Sequence, residues 1–320
     1  MRSAWMQKAY APVLAAITML AMCGPARPEK VALTFDDLPL NGELAPGMTR
    51  AGIVRDVLQV LRKHRVPPVY GFVNAQRMEG IPDGAEALRL WVAGGQRVGN
   101  HSYSHPDLGR TTTEEFLAEV RRNEPVLQLL DPGNAWHWFR YPYLREGETQ
   151  EKRRAVRQGL AARGYRIAQV TLDYEDYLWN SPFARCVAQG DRQAIAWLRS
   201  SYLETATRYL ELDREMARRV YGRPIDHVLL LHLGAYSSTI LPALLELLHA
   251  QGFELATLEE VQRDAAYDGD PDAASAQGGS LVEQWMDVRK LPYPTVPPKP
   301  RQQLAGLCAA AASKPAGSAD

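Results

Sequence analysis

Apolar runs of strand length alternate along this chain with segments of helical spacing, and that alternation restricts its fold more than any other feature. Strand candidates lie at residues 31–35, 69–73, 96–100, 138–141, 167–171, 227–232 and 253–256. Helix candidates fall between and after them at 49–64, 85–93, 112–130, 149–163, 237–251 and 258–264. Thr111 to Thr113 followed by Glu114 and Glu115 make a strong helix start, with hydroxyls to cap the first N–H groups and acids to meet the positive end of the dipole. Strand-helix units in this order predict an α/β fold.

Asp36, Asp37, His101, His105, Arg140, Asp173 and His232 all sit at or just beyond the carboxyl ends of these strands. In a parallel α/β barrel that rim gathers reactive groups from distant parts of the sequence. The scattered polar residues are therefore expected to form one site.

Two stretches interrupt the pattern. Residues 174–224 lie between two strands and carry a long helical stretch over 191–221, which either packs on the barrel or walls the substrate groove. Beyond 264, residues 265–280 are rich in Ala, Asp, Gly and Ser and residues 292–300 are proline-dense. A C-terminal extension over 265–320, extended and partly disordered, is expected.

The 320 residues suit one large domain or two small ones, and a hydrophobic fraction of 46% is ample for a core. With 37 basic and 37 acidic residues the formal charge is zero, which removes the main reason to expect nucleic acid as a partner. Arg2 and Lys8, the largely apolar residues 9–22 and the small residues of Gly24-Pro25-Ala26 read as an export leader over 1–26. Its apolar run is too short to span a membrane comfortably, so the mature chain is expected to lack a transmembrane span and to be periplasmic or secreted. Leu20-Ala21-Met22-Cys23 offers lipid anchoring at Cys23 as the lesser alternative. Removing the leader leaves 35 − 37 = −2. Cys186 and Cys308 then remain for pairing in an oxidising compartment, but sequence alone gives no distance between them.

Four motifs carry chemistry. Asp36-Asp37 ends a strand, where successive side chains alternate, so one carboxylate can bind a metal while the other takes a proton. His101 and His105 are one helical turn apart and, if that segment is helical, both rings can reach one ion. Asp37 with these two histidines gives three ligands and an open position for water, the arrangement of a catalytic divalent ion, zinc above all. Arg140, before the Pro142 turn, can hold a carboxylate bidentately or serve a fold-level ion pair. Asp173-Tyr174-Glu175-Asp176-Tyr177 and Trp179 bring acids and aromatics to another strand end, and His232 closes the run Leu230-Leu231-His232.

Taken in order, these segments resemble the five motifs of the polysaccharide deacetylases, carbohydrate esterase family 4, also called the NodB-homology domain. The resemblance runs from about residue 30 to about residue 264. It implies a distorted (β/α)7 barrel over 27–264, interrupted by the helical insertion 174–224. It further implies Asp36 as general base, Asp37, His101 and His105 as metal ligands, and Arg140 as the tether of Asp36. Tyr143 would offer its backbone N–H to the oxyanion. Asp176 would orient His232, the general acid, and Leu230 would line the pocket for the acetyl methyl. The family's fourth motif usually ends Asp-Trp, whereas here Asp176 precedes Tyr177, so Tyr177 and Trp179 both stand as candidates for the groove wall.

The activity implied is metal-dependent removal of N-acetyl groups from amino-sugar units of a polysaccharide or glycoconjugate by a monomeric enzyme. The alternatives are an O-acetyl esterase using the same groups and a carbohydrate-binding relative without turnover. A metal-dependent phosphoesterase would require a further set of carboxylate ligands, and none is visible.

Overall fold

In the computed structural model, residues 27–81, 83–133 and 135–309 are described. The leader over 1–26 and the anchoring alternative at Cys23 fall outside them.

Seven parallel strands form the sheet: β1 (Lys30–Asn41), β2 (Tyr70–Val73), β3 (Arg97–Asn100), β4 (Trp138–Phe139), β5 (Arg166–Ile167), β6 (His227–Gly234) and β7 (Glu254–Leu255). Their order is β5-β4-β3-β2-β1-β6, with β7 on β1. Beyond β5 the chain crosses to β6 through a single parallel bridge, Leu172 to Leu229, which closes the sheet into a barrel. β7 touches β1 at Lys30 and Val31, whereas β2 pairs from Thr34 onward, so the barrel is irregular at its amino end.

Helices α1 (Arg50–Lys63), α2 (Gly84–Ala93), α3 (Thr113–Leu130) and α4 (Gln150–Ala161) connect the first five strands, and α7 (Ser237–Ala250) connects β6 to β7. The expected start of α3 is realised as a capping box, Thr112 with Glu115. Alternation along β1 sorts its side chains: Leu33 and Phe35 join the large core under the helices, and Ala32 joins a small cluster with Phe72, Trp138 and Ala168. Beside that cluster runs a buried arginine. The Arg140 guanidinium lies 4.7 Å from the Phe72 ring centroid, Nε donates to the Ala168 carbonyl at 2.7 Å, and Nη2 donates to Thr34 Oγ1 at 3.1 Å.

The insertion holds α5 (Asn180–Gln189) and the 30-residue α6 (Arg192–Tyr221). α6 buries Leu198, Tyr202, Ala206 and Leu210 against the body, and its next turns present Tyr209, Leu212, Asp213 and Met216 to a pocket. It is at once a packing helix and a wall.

The C-terminal extension corrects the expectation of an extended, partly disordered tail as far as residue 309. After α8 (Leu258–Val261) it forms α9 (Leu281–Val288) and α10 (Arg301–Gly306). α9 starts at a Ser280–Glu283 capping box and buries Leu281, Val282 and Met286. The preceding loop is held electrostatically: Arg153, fully buried, pairs with Glu146 at 3.2 Å and with Asp270 at 2.6 Å. Cys186 and Cys308 form a disulfide, which joins α5 to the stretch just after α10.

Candidate metal centre and active site

β1 passes the rim with a distortion. Asp37 has φ 68°, and the pairing register of β1 shifts between Phe35 and Leu38 on β2 and between Asp36 and Asn41 on β6. Simple strand alternation would aim the two carboxylates apart; the left-handed residue and the bulge instead leave both beside one imidazole. His101 Nε2 is 3.6 Å from Asp36 Oδ2 and 3.8 Å from Asp37 Oδ1.

The two histidines also meet differently from expectation. Residues 101–105 form no helical turn; the segment is a loop with positive φ at Ser102 (64°) and His105 (60°). Hydrogen bonds fix this unfavourable backbone: Asn74 Nδ2 donates to the His101 carbonyl at 2.6 Å and to the Ser102 carbonyl at 3.0 Å, and the Ser102 N–H donates to Asn100 Oδ1 at 2.8 Å. The ring centroids lie 4.8 Å apart, and His105 Nε2 is 3.6 Å from Asp37 Oδ1.

This set fits a divalent cation. One ligand atom from each of Asp37, His101 and His105 falls within 4.8 Å of the others. His101 Nδ1 faces the Arg140 carbonyl at 2.8 Å; a carbonyl can only accept, so Nδ1 carries the proton and Nε2 turns a lone pair toward two carboxylates. Burial holds His101 and His105 neutral, their pKa values lowered to about 4 and about 3. Lone pairs facing a carboxylate repel it unless a cation stands between them. Asp37 Oδ1 is buried and accepts no hydrogen bond, although Arg77 Nη2 is 3.1 Å away as an ion partner. Burial by itself would raise Asp37, but the Arg77 guanidinium, with the imidazoles adding to it only once they are protonated, holds it below the usual carboxylate range.

Asp36 is 2% exposed and accepts from Arg140 Nη1 at 3.2 and 3.3 Å, so the tether is a single nitrogen shared between both oxygens. Burial pushes its carboxyl up, and Arg140 acts against that rise. On β6, His232 lies in register with Asp36. Asp176 grips His232 twice, accepting from the backbone N–H at 2.9 Å and from Nδ1 at 2.7 Å. Burial favours the neutral ring, but the pair with Asp176 outweighs it and raises His232 to about 9.

A cavity of about 600 Å³ lies over these groups, within the usual range for small-molecule sites. Leu230, Tyr143 and Tyr177 line it, and the Tyr177 ring stands 5.1 Å from His232. Tyr143 has φ 57°, its ring is 4.4 Å from His105, and it is half exposed. Trp179 corrects the expectation: it is fully buried, donates Nε1–H to Ser201 Oγ at 2.9 Å and packs edge-on to Tyr202. It anchors the insertion and does not face the pocket. Arg77 and Asn41, whose Nδ2 donates to Asp37 Oδ2 at 2.7 Å, are site residues that no sequence pattern marks.

A parallel barrel with an Asp-His-His group at its carboxyl rim that could hold a cation defines the class. The family model "Polysaccharide deacetylase" matches residues 24–183, half of the chain, and the chain belongs to that family. Among curated relatives it is 31% identical over 159 residues to a chitin deacetylase of Colletotrichum lindemuthianum, covering 49% of this chain and 56% of that protein. It is also 31% identical over 132 residues to the peptidoglycan-N-acetylglucosamine deacetylase of Bacillus cereus, covering 41% and 42%. The chain thus spans about half the length of these relatives. The solved structure of the Colletotrichum lindemuthianum chitin deacetylase superposes with a TM-score of 0.52 at 24% identity, over 74% of this chain and 88% of that one, and supports the same fold.

Proposed function

We propose that this protein is a metal-dependent N-deacetylase of an amino-sugar polymer or glycoconjugate, exported from the cell. The observation that carries this reading is the register of Asp36 with His232 beside the Asp37-His101-His105 group. A buried carboxylate and a carboxylate-paired imidazole, with opposite proton demands, stand next to one cation site. The names of the relatives, covering chitin and peptidoglycan N-acetylglucosamine, favour an N-acetylated sugar as substrate.

Asp37, His101 and His105 would hold the ion, with zinc the best match to two imidazoles and a carboxylate. Bound there, it supplies Lewis acidity to the acetamide carbonyl and to the attacking water. Asp36 takes the proton from that water, its basicity kept up by burial and its position fixed by Arg140. As the tetrahedral centre forms, the Tyr143 N–H is offered to the developing oxyanion, a contact worth about 3–4 kcal/mol in comparable sites. His232, protonated and oriented by Asp176, gives its proton to the departing amine. Leu230 lines the space for the acetyl methyl and Tyr177 the sugar side.

Acetate release from N-acetylglucosamine oligomers, read together with metal content, tests this. Asp36→Asn should keep the metal and lose about 10²–10⁴-fold in kcat. His101→Ala should lose metal and activity together. Undiminished turnover in Asp36→Asn would sink the assignment of the base, and release from O-acetylated but not N-acetylated sugars would make the enzyme an esterase.

A further inference from the structure

Half of the pocket does not belong to the barrel. Opposite the rim stand Tyr209 and Asp213 of α6 and, from the extension, Gly278, Glu283, Tyr293 and Lys299. We propose that residues 291–308 form a fixed strap which, with α6, closes one end of the substrate groove, so that the enzyme acts on short oligosaccharides and chain ends rather than on the interior of a long polymer. This rests on the proposed deacetylase reading for the reaction, but the length selectivity follows from the wall alone.

The strap is built to stay in place. At its near end, the Arg289 guanidinium donates to the Val220 carbonyl at the end of α6. In the middle, Tyr209 Oη donates to the Pro297 carbonyl at 2.8 Å, and Lys299 Nζ lies 4.2 Å from the Tyr209 ring centroid and 3.2 Å from Glu175 Oε2. Arg301 pairs with the same Glu175. At the far end, Arg185 donates to the carbonyls of Leu304 and Leu307 at 3.0 Å each, Gln189 donates to the Cys308 carbonyl at 2.8 Å, and Cys308 is bonded to Cys186. Between α9 and α10 the chain runs without helix or strand through Pro292, Pro294, Pro297, Pro298 and Pro300. Proline fixes φ at each of these positions, so the segment is stiff as well as pinned at both ends.

A stiff crossing segment has a specific consequence for a linear polymer. A sugar chain that runs on through an active site needs an exit on both sides of the reacting unit, and the strap with α6 takes one of them away. The cavity of about 600 Å³ has room for a few sugar units, and Tyr293, Val296 and Lys299 of the strap line it.

The test compares kcat/KM for a trimer of N-acetylglucosamine with that for soluble glycol chitin, in the full chain and in two strap variants. Cys186→Ser/Cys308→Ser frees the far end of the strap, and Tyr209→Ala removes its central seat. The native protein should favour the trimer by roughly tenfold or more, and each variant should bring the two values together while its melt stays cooperative. Hydrogen exchange over 291–308 reports whether the strap has been released. A native enzyme equally active on both substrates, or a released strap with an unchanged ratio, overturns the proposal. Calorimetric binding of the same two ligands separates it from the deacetylase reading: length-selective binding without acetate release refutes the reaction and supports the closed groove, whereas acetate release without length selectivity does the reverse.

Discussion

β6 carries two histidines five positions apart, and they have opposite protonation behaviour. His227, at the amino end of the strand, is fully buried beside Thr171 Oγ1 (3.2 Å), with its Nε2 unpartnered and the Phe253 ring 5.9 Å from its own. Burial lowers it to about 3. His232, near the carboxyl end, is also largely enclosed, yet Asp176 raises it to about 9. The strand and the residue type are the same, and a single carboxylate partner separates an imidazole held neutral from one held protonated, the proposed proton donor. Burial of a histidine, taken alone, therefore says nothing about catalysis.

The sharpest way to break this contrast is the same substitution at both ends. Asparagine keeps a polar atom near the position of Nδ1 and removes the titrating ring. His232→Asn is expected to lose about 10²–10⁴-fold in kcat with metal content unchanged, the usual contribution of a positioned acid. His227→Asn should stay within about threefold of the native rate, since His227 does not line the pocket. Loss of metal in His232→Asn would reassign it as a ligand, and a comparable loss of rate at both positions would erase the distinction.

A smaller effect is expected where the partner is altered and the ring is kept. Asp176→Asn leaves an acceptor for Nδ1–H but withdraws the charge that raises His232, so kcat/KM should fall about 10–100-fold. The alkaline limb of its pH profile should also move down by about one unit or more, because the general acid now loses its proton earlier. An unmoved limb with the same loss of rate would mean that Asp176 orients the ring without setting its proton affinity.

The contrast at β6 also explains how much of the molecule could be read from its letters. All seven strands and the rim positions of Asp36, Asp37, His101, His105, Arg140 and His232 are legible, since alternation and strand ends are local properties of the sequence. Backbone exceptions are not: left-handed φ at Asp37, Ser102 and His105 converts strand and loop into a convergent triad, and the His101-Ser102 step of that loop is held by a distant donor, Asn74. Trp179 misleads because an aromatic beside acids has the same spelling whether it walls a groove or packs under α6. Arg77 and Asn41 come from segments with no pattern and reach Asp37 only in the folded chain. The strap is hidden for a further reason. Its composition signals stiffness, but the contacts with Tyr209, Glu175 and Cys186 that turn stiffness into a wall join positions about a hundred residues apart.

The smallest expected effect lies at the silent end of the strand and appears in stability rather than rate. His227 binds a proton near 6.5 when the chain is unfolded and near 3 when folded, so below 6.5 the unfolded state takes up more protons. Its contribution is fully present above about 6.5 and is lost progressively as pH falls toward 3, at a slope approaching 1.4 kcal/mol per unit. Between pH 7 and pH 5.5 this amounts to about 1 kcal/mol. Other groups titrate across the same interval, so the measurement is a difference: urea unfolding of native protein and His227→Asn at both values. The native protein should lose about 1 kcal/mol more than the variant on going to the lower pH. Equal losses would show that His227 takes up its proton in the folded state, and the contrast with His232 would then be one of position and not of charge.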